Sequence, residues 1–174
     1  MRQPKPWWRR YVAGLIAGAA GTAAMGLYQK ALHKSNGRPQ GHTEHDMSVI
    51  GRKHGEGESA TAALGRIIYE KVRHKQPGPG IKGKLSNAVH WAYGTEMGGT
   101  YGLLHPRSLK LNLLGGLAYG AGLWVLGDEL AVPLLGLAEG PKAYAGRLHA
   151  ETLGAHLVYG VTTAAASELV ERVL

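Results

Sequence analysis

The chain is 174 residues long, the length of one domain, and has no cysteine, which excludes disulfides, zinc–thiolate sites, iron–sulfur clusters and cysteine nucleophiles. Its net charge of +8 suits an anionic membrane surface or a nucleic acid. A nucleic-acid binder interleaves Lys and Arg with exposed aromatics on one face, whereas here the aromatics stand in uncharged stretches, so nucleic acid is not the expected partner.

The first apolar stretch, "YVAGLIAGAAGTAAMGLY" at 11–28, carries no charge. It follows "PKPWWRR", where Trp7 and Trp8 abut Arg9 and Arg10, the composition of an interfacial belt beside a membrane span. Gly14, Gly18, Thr22 and Gly26 recur every fourth residue. Such a ridge of small residues lets helices approach closely in lipid. In water, glycine in a helix costs roughly 0.5–1 kcal/mol relative to alanine, and this chain has 27 of them. A span near 11–33 is expected. The competing reading is a cleavable signal peptide, with Ala17-Gly18-Ala19 as the cleavage site.

Residues 34–84 are polar, with ten Lys/Arg, five Asp/Glu and four His, a balance that makes them a loop outside the bilayer. "GHTEHD", 41–46, gathers His42, Glu44, His45 and Asp46, but their spacing fits neither H-E-x-x-H nor H-x-x-E-H, and whether a metal binds is left open. In "SATAALGRIIYEKVRH", 59–74, Ala63, Ile67 and Val72 fall at helical spacing and predict an amphipathic helix on the bilayer surface or against the bundle. "GPGIKGKL", 78–85, begins like a phosphate loop but has Leu85 where Ser or Thr must follow the lysine, and Pro77 and Pro79 where a strand should precede it. It reads as a helix-breaking linker.

A second span is expected near 85–105. Within it "HWAYGTEMGGTYGLL" sets Gly94, Gly98 and Gly102 on one ridge, while His90, Tyr93, Met97 and Tyr101 share another face. The third, near 111–137, is longer than the roughly 20 residues a bilayer needs. It contains Asp128, Glu129 and Pro133, so it should kink or end at the interface. The fourth, near 149–172, places His149 and His156 on one face with Thr152, Gly160 and Thr163.

The pattern therefore predicts an all-α fold: a single membrane domain, residues 1–174, of four transmembrane helices with an amphipathic helix in the first loop. A soluble bundle, the alternative, would want leucine where this chain has glycine. Basic residues flank the first span on both sides, so the positive-inside count does not give its orientation.

The candidate site is a polar core within the spans: His90, Glu96, Asp128, Glu129, His149 and His156. A charge at mid-bilayer costs on the order of 2.5–3.5 kcal/mol, so these groups should face inward and pair. His90 or His156 is expected to meet Asp128 or Glu129. Such a pair can relay protons, bind a metal ion or hold helices together. No catalytic residue is assigned. The Glu-x-x-His repeats of di-iron bundles and the Gly-x-Ser-x-Gly of hydrolases are both absent, and no cofactor is expected.

Four short pieces in fixed order, "GLIAGAAGTAAM", "HWAYGTEMGGTYG", "LWVLGDELAVPLLGL" and "AHLVYGVTT", give the chain a resemblance to the YagU-like family of small bacterial inner-membrane proteins. The resemblance implies a multi-pass helical bundle in the bacterial inner membrane, allows an acid-tolerance role, and assigns no catalytic residue. His90, Asp128, Glu129, Pro133 and His156 are the positions it carries over as a polar core. The expected function is non-enzymatic, with a His/carboxylate cluster that stabilises the bundle and responds to protons or ions. The alternatives are a transporter or channel component and a membrane scaffold or assembly factor. The expected partners are the lipid bilayer and a second copy of the chain packed through the glycine ridges.

Overall fold

Helices dominate the chain. The computed structural model describes residues 6–36, 44–104 and 109–174, in which α1 (Trp7–Asn36), α2 (Ala60–Arg73), α3 (Pro79–Leu104) and α4 (Leu109–Leu123) follow one another. A π-helical segment, Trp124–Ala131, continues α4 and leads into the single turn α5 (Val132–Leu134). A 3-10 turn at Pro141–Ala143 precedes α6 (Gly146–Val173). No strand occurs among the described residues, so the protein is all-α, as its sequence predicts.

The chain forms two compact units. One comprises α1, Tyr93–Leu123 and Ala150–Leu174; the other comprises residues 44–92 and Trp124–His149. In the first, four helices pack with neighbours antiparallel. Gly14 of α1 lies against Gly98 and Gly102 of α3, and Gly18 against Gly94 and Gly98. Tyr101 and Met97 of α3 meet Asn112 and Tyr119 of α4. Gly116 and Gly120 of α4 back onto Gly160 and His156 of α6, while Gly21 and Tyr28 of α1 meet Thr163 and Gly154 of α6. The result is an up-down-up-down ring, the natural outcome of four helices joined to antiparallel neighbours.

The expected glycine ridges are the seams of this ring, with one correction. A Cβ on Gly18 would stand 2.7 Å from both the Gly94 carbonyl oxygen and Gly98 Cα, so only glycine fits. Gly26, expected to continue the ridge, has open space where its Cβ would be. The seam ends one turn earlier at Thr22, whose hydroxyl stands against Gly94 and donates to its own helix at the Gly18 carbonyl, 2.8 Å away.

The interior of this unit is small and polar. Its largest fully buried side chains are Asn112, Thr22, Thr163 and Ser167, beside a short apolar cluster of Met25, Ala155 and Tyr159. Many of its aliphatic residues point outward: Val12, Ile16, Leu27, Leu103, Leu104, Leu114 and Leu117 are exposed. Among the described helices, α1 is the one long and apolar enough to cross a membrane, over Trp7–Lys34 with a mean hydropathy of 1.3. Tyrosine, threonine, histidine and glycine dilute the hydropathy of the others.

In the second unit an irregular segment docks on the turn after α5. The main-chain N–H of Val49 donates to the Leu134 carbonyl at 3.0 Å, and those of Lys53 and His54 donate to the Gly136 carbonyl at 2.7 and 3.0 Å. Gly136 holds φ 65°, a conformation glycine adopts without penalty, and a Cβ there would strike the Gly51 carbonyl. Ser59 caps α2 by accepting the Ala62 N–H, and His74 closes it with φ 52°. Of the three residues that suggested this helix, Ala63 is buried, Ile67 half-buried and Val72 exposed. Arg66 fastens α2 to the preceding chain: it pairs with Glu58 at 2.9 Å and Glu70 at 3.2 Å, and donates to the Lys53 carbonyl.

Residues 79–85, expected as linker, are instead the first two turns of α3. Pro79 occupies the opening position, where a missing N–H costs nothing, so the proline starts a helix rather than breaking one. Gly65 of α2 then rests on Leu85, and the Thr61 and Ser86 hydroxyls share a hydrogen bond of 2.8 Å.

Candidate functional site

The chemistry of the second unit centres on His149, in the first turn of α6. Its position follows from three local features. The π-helical segment carries Glu129, and α5 follows it with Pro133 near its start, where a missing N–H is tolerated. The 3-10 turn at Pro141, whose carbonyl also accepts the Tyr144 N–H, brings that carbonyl beside the start of α6. His149 Nδ1 lies 2.7 Å from Glu129 Oε1, and Nε2 lies 3.0 Å from the Pro141 carbonyl oxygen. Trp124 and Tyr144 meet the imidazole edge-on, each with ring centroids 6.4 Å away. Both members of the pair are largely covered, with side chains 25% and 20% exposed.

Those two contacts favour the charged form of the histidine. A carboxylate oxygen and a main-chain carbonyl are acceptors, and a neutral imidazole has one N–H to donate. With Glu129 ionised, the imidazolium is the form that donates to both. The Glu129 hydrogen bond and its negative charge raise the His149 pKa above the usual histidine value, against the opposing effect of burial.

Of the expected polar core, the structure thus brings together His149 and Glu129. Asp128 is exposed beside that pair, and His90 is half-buried on the part of α3 that belongs to the second unit. His156 belongs to the first unit, where it is buried and its Nδ1 stands 2.9 Å from the Thr152 carbonyl one turn back in α6. Glu96 is exposed on α3 and accepts the Tyr11 hydroxyl at 2.7 Å. Glu129 pairs with His149, a pairing not among those expected, which joined His90 or His156 to Asp128 or Glu129. Pro133 is buried, and its carbonyl accepts the Gly136 N–H that closes the turn.

Sequence reasoning passed over the polar groups that cross-link the first unit. The Tyr101 hydroxyl donates to Asn112 at Oδ1 (2.6 Å), and Asn112 Nδ2 donates to the Ala164 carbonyl (2.8 Å), joining three helices through one amide. The Tyr159 hydroxyl donates to the Gly94 carbonyl (2.6 Å) and that of Tyr119 to the Met97 carbonyl (2.7 Å). Asn112 had a signal, being the one polar side chain in "LNLLGGLA". The tyrosines had none, since an interfacial tyrosine and an interior one look alike in sequence.

A second ionic group lies around Glu139, which takes Arg52 at 2.6 Å and the His45 main-chain N–H at 2.8 Å. Asp46 accepts the hydroxyl and N–H of Ser48, which hold its pKa below the usual carboxylate value. His42 lies outside the described residues. No three His, Asp or Glu side chains among the described residues are arranged to hold one metal ion. No protein-family model, curated protein or solved structure matches this chain.

Proposed function

We propose that the protein is a non-enzymatic, multi-pass membrane protein in which the four-helix unit is embedded in lipid and the His149–Glu129 pair responds to protons. The observation that carries this reading is the inverted burial of the four-helix unit. Along α1 from 12 to 27 the exposed positions are Val12, Ile16, Ala20, Ala23 and Leu27, all apolar, while Gly14, Gly18, Gly21 and Thr22 are buried with Ala13, Ala17 and Met25. In water that arrangement forfeits the burial of each aliphatic side chain, worth roughly 1.5–3 kcal/mol apiece. In lipid the exterior needs no burial, and helix association comes from close packing and interhelical hydrogen bonds, the two devices this unit uses. Trp7 and Trp8, exposed beside Arg9 and Arg10 at the start of α1, suit the bilayer interface.

The YagU-like resemblance points the same way and would put the protein in a bacterial inner membrane. Backbone-to-backbone contact along the α1–α3 and α4–α6 seams favours a fixed bundle, so a scaffold or assembly role is better supported than a gated transport path. Alkaline carbonate extraction of membranes from expressing cells tests the reading. Retention in the pellet is the expected outcome; release of the chain into the supernatant overturns it.

A further inference from the structure

The hairpin of α2 and the first turns of α3 carries an exposed apolar surface. Leu64, Ile68 and Val72 follow one another at intervals of four along α2, and Ile68 and Val72 are 51% and 69% exposed. Together with Tyr69 and Leu85 they edge a shallow apolar depression, and Ile81 of α3 is exposed beside it. The charges around this stripe are mostly positive. Between residues 60 and 92 the single acidic residue is Glu70, against Arg66, Lys71, Arg73, Lys75, Lys82 and Lys84. Glu70 is already engaged by Arg66. Among the described residues, five exposed cations on this hairpin therefore have no carboxylate hydrogen-bonded to them, and Arg73 borders the depression itself.

We propose that this hairpin is a docking surface for anionic phospholipid: the stripe enters the acyl boundary while the cations hold phosphate headgroups. The two features select lipid over the other polyanions. Binding to a nucleic acid would use the charges and leave the aliphatic stripe in water, with one half-buried tyrosine to stack on bases. An interfacial helix uses both, because its apolar face sinks below the headgroups while long basic side chains extend to them. Each lysine or arginine near an anionic leaflet adds separately to the attraction. The surface does not require the four-helix unit to span a bilayer.

The chain has no cysteine, so Val72→Cys carries a single environment-sensitive fluorophore, and Glu56→Cys in the preceding segment serves as the control position. The full chain is placed in phosphatidylcholine bilayers with and without phosphatidylglycerol; should it prove extractable, the same vesicles are added to the soluble chain. The expected result is a blue shift at position 72 that requires phosphatidylglycerol and is absent at 56. It should be reversed by molar salt, which shortens the screening length from about 10 Å at 0.1 M to about 3 Å. Replacing Lys71, Arg73, Lys75 and Lys84 by Glu should weaken the response roughly fivefold per charge removed. An equal shift in neutral and anionic lipid, no shift in either, or a shift produced by RNA and not by lipid would each overturn the proposal. The salt arm reads the same electrostatics in the unmodified hairpin should the fourfold variant misfold.

Discussion

A neutral imidazole has one N–H to give, and His149 faces two acceptors. Glu129→Gln removes the charge that favours the second proton, and it should lower the His149 pKa, as read by histidine NMR titration. The sign of the stability effect follows. A group whose folded pKa is raised contributes stability that is fully present below its unfolded value, near 6.5, and lost as pH rises through the folded value. The difference in unfolding stability between the wild type and Glu129→Gln should therefore shrink as pH climbs through that window; a difference that grows with pH would refute the imidazolium assignment. Asn112 makes a separate prediction. Its amide joins Tyr101 to the Ala164 carbonyl across three helices, and interhelical hydrogen bonds of this kind are worth about 0.6–1.7 kcal/mol in lipid. Asn112→Ala should cost that much in a micelle unfolding titration.

At the scale of helices, the two glycines that look equivalent in sequence separate sharply. Gly18→Leu has no room between α1 and α3 and should cost more than about 3 kcal/mol, the upper range for ordinary overpacking. Gly26→Leu meets open space and should be tolerated or mildly stabilising, since leucine favours helix over glycine. Thermal unfolding of the two variants side by side checks this. Ser59→Ala should cost α2 about 1 kcal/mol by removing its cap, visible as faster amide exchange in its first turn. Much at this scale was legible in the sequence. A four-residue glycine repeat is a property of one helix face, so Gly14, Gly18, Gly94, Gly98 and Gly102 announced the seam. Gly26 extended the same repeat, but whether a neighbour lies opposite depends on the path of another helix. The start of α3 was hidden because proline breaks a helix in its interior and opens one at its first position, and composition does not separate the two. His149–Glu129 was half visible. Both residues were candidates, yet Glu129 lies in the π-helical segment, where spacing counted at 3.6 residues per turn misassigns the face.

For the molecule as a whole, the two units divide the composition between them. The glycine-rich, sparsely charged helices make the first, and most of the loop of 34–84, with its excess of Lys and Arg, makes the second. That division is why overall hydropathy describes neither: the mean for the chain is −0.15, close to neutral. The formal charge of +8 counts every histidine as neutral. Holding His149 as an imidazolium adds one, so the folded protein carries a larger positive charge than its composition states wherever the pH lies between the ordinary histidine value and the raised one. Folding in that interval takes a proton from the solvent. Unfolding returns it, so in a weakly buffered solution the loss of structure should register as a fall in pH.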